Sequence, residues 1–560
     1  MQKINRALVG TSTSCISRSI ARLRDKSAGF RRDDSGALII FGLIIFVLML
    51  MIGGMAVDIM RFETVRTKLQ STSDRASLAA ASLTQDMDAT AVVNDYFAKE
   101  DLSGYLTGVT VDDAINYRSV TADVRAEVPS FFMQMVGVES LTAPANSTAE
   151  ERKSDVEITL VLDVSGSMRS NGKLTNLKTA ASAFVDTVLL SDVENKISIS
   201  LVPFSGQVTL GPTVAANYAL STEHNLNTCV DFQPAEFGTP AVPPATTLTR
   251  SSPIDPWGSA WAKSSLTSVG FTAGVLTNYC STEPKNVVRP FMRNIASLKA
   301  AINGLAADGN TSIDVGVKWG VAMLDPGTQP VINSLIGSAA VPANFAGRPY
   351  AYNRPDTAKV IVVMSDGENT DQYRLNAPYK SGASPVYRRA SDGSLAIFHS
   401  SVLTVNKYYV IDKTKFSTSY TSALLGTWQL AVPAGYVNLT WPQVFDYHPI
   451  TWVARYLYGN PLGTTSSTRS SIATTWVNKF KTATNPATKD AQMDTICDLA
   501  KSTALKIRVF TIAFEAPPLG QASLANCASS AGDYFNVAGL DITTAFQSIA
   551  RQITQLRLTQ

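Results

Sequence analysis

The stretch that decides the fold is residues 154–168, SDVEITLVLDVSGSM. Val156 to Leu162 form an apolar run short enough for one buried strand, and the chain then enters Asp163-Val164-Ser165-Gly166-Ser167. The carboxylate and the two hydroxyls stand at alternate positions on one turn, so all three face the same way. Gly166 permits the tight backbone that such convergence requires. A set of hard oxygens of this kind suits a hard cation such as Mg2+. An amphipathic helix, LTNLKTAASAFVDTVLL, and a second strand, KISISLVPF, follow. This is the opening βαβ of a parallel sheet, with the candidate site at the carboxyl end of its first strand, where open sheets bind ligands.

Two later segments extend the pattern. GNTSIDVGVKWGVAML starts a helix from a loop and places the Thr311 hydroxyl at the loop tip. AKVIVVMSDGENT is a buried strand, Val360 to Met364, ending in Ser365-Asp366-Gly367. Both lie where a second and a third loop would approach the first. Beyond residue 487 come a helix, a strand at Ile507 to Phe514, a second helix, a short strand at Tyr534 to Val537 and a closing helix. Helix–strand alternation of this kind is doubly wound α/β. Gly166 and Gly172-Lys173 superficially resemble a phosphate loop. Five residues separate the glycines instead of four, and Leu174 stands where Ser or Thr should be, so Lys173 is read as the start of the first helix.

Upstream, Ala37 to Val57 is an uncharged run of 21 residues, ALIIFGLIIFVLMLMIGGMAV. As a helix it measures roughly 31 Å, enough to cross a hydrocarbon core. Residues 1–36 carry eight Lys/Arg against three Asp, a tail of +5, whereas the whole 560-residue chain is only +3. A basic flank stays on the cytoplasmic side, so the bulk of the chain is expected outside. A cleaved signal peptide is the competing reading, but the run is longer than an h-region and no A-x-A site follows closely. The helix is expected to continue to about residue 85, with a short helix at Ala91 to Lys99 and strands in Val109 to Val128 and Leu141 to Thr148.

Cysteine placement agrees with that orientation. Cys15 alone precedes the span, while Cys229, Cys280, Cys497 and Cys527 follow it. Spacing favours the pairs Cys229–Cys280 and Cys497–Cys527, each inside one segment of the chain. Zinc ligation is the alternative, but there is no C-x-x-C and no nearby histidine pair. With three histidines in the chain, none in a motif, His-based catalysis is not expected. G-x-S-x-G and H-E-x-x-H are absent too, so no enzyme is expected. The small net charge argues against nucleic acid as a partner.

Two families are resembled. DDSGALIIFGLIIFVLMLMIGGMAVDIMRFE followed by LQSTSDRASLAAAS is similar to the N-terminal segment of TadG-like proteins of Flp (tight adherence) pilus assembly. Related pilin-like proteins carry Glu five residues after the processing Gly. Phe41 holds that position after Gly36, which argues against prepilin-type cleavage and packing into a filament. The three loops resemble the metal-ion-dependent adhesion site of von Willebrand factor A-type (vWA) domains. That resemblance makes Asp163, Ser165 and Ser167 the first metal motif, Thr311 the second and Asp366 the third. It implies a divalent cation (Mg2+, with Mn2+ or Ca2+ as alternatives) and an open coordination position for a partner's carboxylate. The usual Gly before the Thr is here Asn310, a residue able to adopt a left-handed turn. Asp314 and Glu368 are expected near the site, as supporting or solvated groups.

The expected organisation is a basic cytoplasmic tail at 1–36, a transmembrane helix at 37–57, a juxtamembrane helix with a small α+β TadE/TadG-like unit at 58–150, and a vWA domain at 151–560. Such a domain needs roughly 200 residues, so insertions are placed at about 211–289 and 371–487. They hold Trp257, Trp261, Trp428, Trp441, Trp452 and Trp476. These aromatics suit either a recognition surface or the inserts' own cores, the commoner use. The second insert is expected to overhang the metal face. The expected function is a single-pass inner-membrane protein of Flp/Tad pilus assembly or anchoring, its C-terminal domain periplasmic or exported, binding an acidic side chain of a protein partner. A surface adhesin for host or matrix ligands, using the same site, is the alternative.

Overall fold

The computed structural model describes residues 35–554, apart from 84, 86, 115–116, 153–154, 191, 193–194, 257–278, 282–283, 355–356, 403–404, 406 and 412–425. Residues 1–34 with Cys15, together with Trp257 and Trp261, lie outside the described residues. The chain divides into two compact units, one reaching to Asp113 and resuming over Arg118–Glu151, the other built from Arg152 onward with Ala114–Tyr117.

The first unit begins with a single helix, α1 (Ser35–Ala81), of 47 residues. Its first half exposes Leu38, Phe41, Leu43, Phe46 and Leu50, and the helix is long and apolar enough to cross a membrane. Its second half is amphipathic in a different way: Leu69, Ala76 and Ala80 are buried together with Thr72, Ser73 and Ser77. These small side chains let the helix lie close on a three-stranded sheet of β1 (Leu106–Ala114), β2 (Tyr117–Pro129) and β3 (Ser140–Arg152), in that order. Ser77 Oγ donates to the Ser147 carbonyl at 3.1 Å, so a buried hydroxyl finds a partner on β3. The helix ends at Ala81, short of residue 85. The next, α2 (Ala89–Lys99), starts where the Asp88 carboxylate accepts the Ala91 N–H at 2.8 Å. The strand-like stretch Val109 to Val128 holds parts of both β1 and β2.

The second unit is built on a six-stranded sheet. Its strands and helices run β4 (Asp155–Asp163), α3 (Lys173–Leu190), β5 (Ile197–Phe204), β6 (Arg289–Met292), α4 (Ile295–Gly304), α5 (Ile313–Ala322), β7 (Thr357–Ser365), α6 (Pro486–Lys501), β8 (Ile507–Phe514), α7 (Pro518–Cys527), β9 (Tyr534–Val537) and α8 (Asp541–Thr554). Strand order is β9-β8-β7-β4-β5-β6. All neighbours are parallel except β6, which pairs antiparallel with β5 and caps that edge. Alternate residues of each strand serve opposite faces. Ile158, Leu160 and Leu162 join Val360 and Val362 beneath α3, α4 and α8. Val161, Val202 and Ile361 join α5, α6 and α7 on the other side. This is the doubly wound vWA-type sheet expected from residues 154–168.

The central strands carry charge that their apolar appearance conceals. Glu157 on β4 stands opposite Lys359 on β7, and Lys359 Nζ donates to Glu157 Oε2 at 2.5 Å with both groups buried. Arg348 reaches Asp155 Oδ1 at 2.8 Å, also out of solvent. Cys229 is bonded to Cys280 and Cys497 to Cys527. The second bond joins α6 to α7 across the face of β8.

The second insert is a small folded body. A five-stranded antiparallel sheet runs, in spatial order, Gly426–Gln429, Tyr408–Ile411, Leu395–Phe398, Ala383–Arg389, Tyr436–Thr440. The insert's two ends pair with each other, Gln372–Leu375 against Lys481–Thr484, which closes its neck beside the end of β7. Trp441 and Trp452 are buried in its core, and Trp428 and Trp476 pack against that core. Ile254 and Tyr279 of the first insert join the same cluster. The described tryptophans of the inserts therefore build the second insert's own interior.

Candidate metal centre

β4 and β7 are neighbours at the middle of the sheet, and the chain departs from them in opposite directions. Their carboxyl ends form the topological switch point of a doubly wound fold. Asp163 closes β4 and Ser365 closes β7, so Asp163 and the Ser365-Asp366-Gly367 turn emerge side by side.

There the polar groups engage one another. Asp163 Oδ1 accepts the Ser165 N–H at 2.7 Å, and Asp163 Oδ2 accepts the Ser365 hydroxyl at 2.5 Å. Ser165 Oγ and Ser167 Oγ are 2.9 Å apart, and the Ser167 hydroxyl donates to Asp366 Oδ1 at 2.7 Å. Thr311 stands against the third loop: its Oγ1 lies 3.4 Å from where a Cβ on Gly367 would be. Its N–H donates to Thr370 Oγ1 at 3.1 Å, and the Thr370 N–H returns a bond to its carbonyl at 3.0 Å. The five sequence-selected residues, Asp163, Ser165, Ser167, Thr311 and Asp366, thus come from three loops to one place.

Two details differ from the sequence reading. Gly166 is needed less for a turn than for close approach. Its N–H donates to the Gly309 carbonyl at 2.8 Å, and a Cβ there would stand 3.0 Å from that oxygen. The left-handed residue of the second loop is Gly309, at φ +77°, one position earlier than expected, so Asn310 needs no such tolerance.

Two supporting lysines escaped the sequence reading. Lys173 does open α3, but its Nζ also sits 3.0 Å from Asp366 Oδ2 and 3.8 Å from Glu515 Oε2. Lys489, buried on α6, donates to the carbonyls of Thr311 at 2.9 Å and Thr370 at 2.8 Å and to Ser312 Oγ at 2.6 Å. It ties the second loop to the chain that leaves the third. Asp314 is fully buried with its carboxylate 3.7 Å from Lys489 Nζ. Burial pushes the Asp314 carboxyl up, opposed by Lys489, and burial pushes the Lys489 ammonium down. Glu368 is half-buried. A lysine in a helix with no motif around it offers the sequence no signal for such a role.

The donors fit a hard divalent cation. Burial, and then the negative charge of Asp366, push the Asp163 carboxyl up to about 7. Lys173 faces Asp366 and Glu515, whereas the Asp163 carboxylate is met by the Ser165 N–H and the Ser365 hydroxyl. Among the described residues no three His, Cys, Asp or Glu are gathered to hold a metal. Two carboxylates with three hydroxyls are the candidate set.

Sheet order and loop placement define a vWA-type α/β fold. Residues 36–83 match the protein family described as putative Flp pilus-assembly TadE/G-like, so the TadG-like resemblance of the N-terminal segment stands. Among solved structures, the chain is similar to the vWF domain of the type V pili tip protein Mfa5 from Porphyromonas gingivalis, at 13% identity over 73% of this chain and 98% of that one, TM-score 0.30. It is similar to the PilB minor pilin from Streptococcus sanguinis, at 11% identity over 80% of this chain and 77% of that one, TM-score 0.30. A third likeness is the pilus adhesin SpaC from Lactobacillus rhamnosus GG, at 9% identity over 80% of this chain and 33% of that one, TM-score 0.29. This chain therefore spans about a third of SpaC. A comparison with curated proteins gave no match.

Proposed function

We propose that this protein is a membrane-anchored component of Flp/Tad pilus assembly or anchoring, and that it grips an acidic side chain of another pilus component through Asp163, Ser165, Ser167, Thr311 and Asp366. The observation that carries the proposal is the meeting of Ser167 and Asp366 at 2.7 Å from positions 199 residues apart, at the switch point of the sheet. All the side-chain donors are hard oxygens, which suits Mg2+, with Mn2+ or Ca2+ as alternatives. When bound, such a cation would offer an open position to a partner's carboxylate. The chain's own residues hold that arrangement in place. Ser365 fixes the Asp163 carboxylate, Lys489 fixes the backbone carrying Thr311, and Lys173 offsets part of the acidic charge.

The anchor belongs to the same proposal. α1 would cross the bacterial inner membrane once, with the basic tail in the cytoplasm and the rest periplasmic or exported. Two disulfides in the second unit fit an oxidising compartment.

The test compares the full-length protein with Asp163→Ala, with Mg2+ and with chelator. The variant is expected to keep its circular dichroism spectrum, to lose Mg2+-dependent capture of pilus components and to lower surface piliation in cells. Normal piliation in the variant would remove the site from the assembly role. Capture of matrix proteins in place of pilus components would turn the reading to adhesion.

A further inference from the structure

The turn joining β2 to β3 is residues 130–139, SFFMQMVGVE, uncharged up to Glu139 at the foot of β3. Hairpin tips in water favour Asn, Asp and Gly, which makes this composition unusual. The tip is fastened to α1. Phe132 lies so close over Gly54 that a Cβ there would stand 2.2 Å from its ring. The Asp58 carboxylate, itself buried, accepts the N–H groups of Phe131 at 3.0 Å, Phe132 at 2.7 Å and Met133 at 2.8 Å. The Arg61 guanidinium lies 4.0 Å over the Phe131 ring.

Those contacts set the height of the tip along the helix. Gly54 lies inside the uncharged run 37–57, and Asp58 is the first charge beyond it. Three tip amides meet that charge, so the apolar surface of α1 continues through Val57, Ile59 and Met60, all exposed. At this level the tip leaves Phe131, Met135 and Val136 exposed at 64%, 67% and 50%. An apolar patch continuous with a helix surface suited to lipid, with an arginine beside it, has the composition of a membrane-interface anchor.

We infer that the β2–β3 tip is a lipid wedge: Phe131, Met135 and Val136 enter the boundary of the bilayer that α1 crosses, with Arg61 at the level of the headgroup phosphates. The inference rests on α1 spanning a membrane. It adds a second, lateral contact that would hold the α1–sheet unit at one height against the bilayer.

The test uses the full chain carrying Cys15→Ser and one new thiol, Leu48→Cys in the run, Met135→Cys at the tip or Asp112→Cys on β1. Each is labelled with an environment-sensitive fluorophore and reconstituted into phosphatidylcholine–phosphatidylglycerol vesicles with lipids spin-labelled at shallow or deep positions. The wedge requires Met135→Cys to show blue-shifted emission lost to the shallow quencher, Leu48→Cys to be quenched by the deep one, and Asp112→Cys to respond to neither. If Leu48→Cys is quenched while Met135→Cys behaves like Asp112→Cys, the tip faces water or protein and the wedge is wrong although the span stands. If Leu48→Cys is not quenched, the span fails and the wedge falls with it.

Discussion

At the scale of single residues, the candidate centre depends on buried groups that hold its donors in place. Ser365 is fully buried and its hydroxyl orients Asp163 from the neighbouring strand. Removing an outer group that orients a ligand commonly weakens metal binding about 10–100-fold. On the proposed role, Ser365→Ala is therefore expected to lower Mg2+ affinity by that order in calorimetric titration, and to lower the melting temperature without metal as well, because the Asp163 carboxylate and the Gly367 N–H lose a buried partner. Gly166→Val should act by another route, since any side chain there meets the Gly309 carbonyl and forces the first two loops apart. The Asp-x-Ser-x-Ser pattern was legible because its residues are adjacent in sequence. Lys173 and Lys489 were not, because a lysine's reach to a loop 193 or 178 residues away exists only after the sheet assembles.

At the scale of elements, β4 and β7 are held by more than apolar packing. Glu157 and Lys359 occupy facing register positions, and neither has water to solvate it. Lys359→Met leaves an uncompensated buried carboxylate, with an expected loss of about 3–5 kcal/mol in urea unfolding of the full chain. Glu157→Leu combined with Lys359→Met should recover most of that loss, because the cost lies in the unpaired charge. The Cys497–Cys527 bond closes a 30-residue separation around β8. Replacing both cysteines by serine should cost about 3–4 kcal/mol on chain-entropy grounds, read in the same unfolding experiment. Strand and helix positions followed from hydrophobic period, whereas boundaries followed from local chemistry. The Asp88 cap, for example, starts α2 two residues before Ala91.

At the scale of the whole molecule, the inserts make the second unit sensitive to acid. His399 and His448 are buried in the second insert. Burial pushes His399 down to about 4, and burial with the nearby Arg388 charge pushes His448 down to about 3. Both stay neutral in the folded state at pH values where the unfolded chain takes up protons. Each histidine's contribution to stability should therefore be complete above about pH 6.5 and fall below it, by roughly 1.4 kcal/mol per pH unit, while the raised Asp163 carboxyl, protonated in the folded state below about pH 7, offsets about one histidine's share. The loss continues until pH reaches the folded values. Unfolding midpoints measured between pH 7 and 5 check this, and His448→Gln should flatten the slope. The tryptophans of the same insert illustrate the limit of composition. Their abundance is visible in sequence, yet only packing shows that Trp441 and Trp452 face inward.

The sequence by itself determined the apolar run, the doubly wound sheet and the three loop motifs, because each is written in local periodicity or short spacing, and it favoured the cysteine pairs that the structure forms. Tertiary structure decided the rest: the buried Glu157–Lys359 pair, the lysines that hold the loops, Gly309 as the left-handed residue, and the Phe132 contact at Gly54. Each of these depends on which distant segments come within a few ångströms, and local pattern carries no information about that distance.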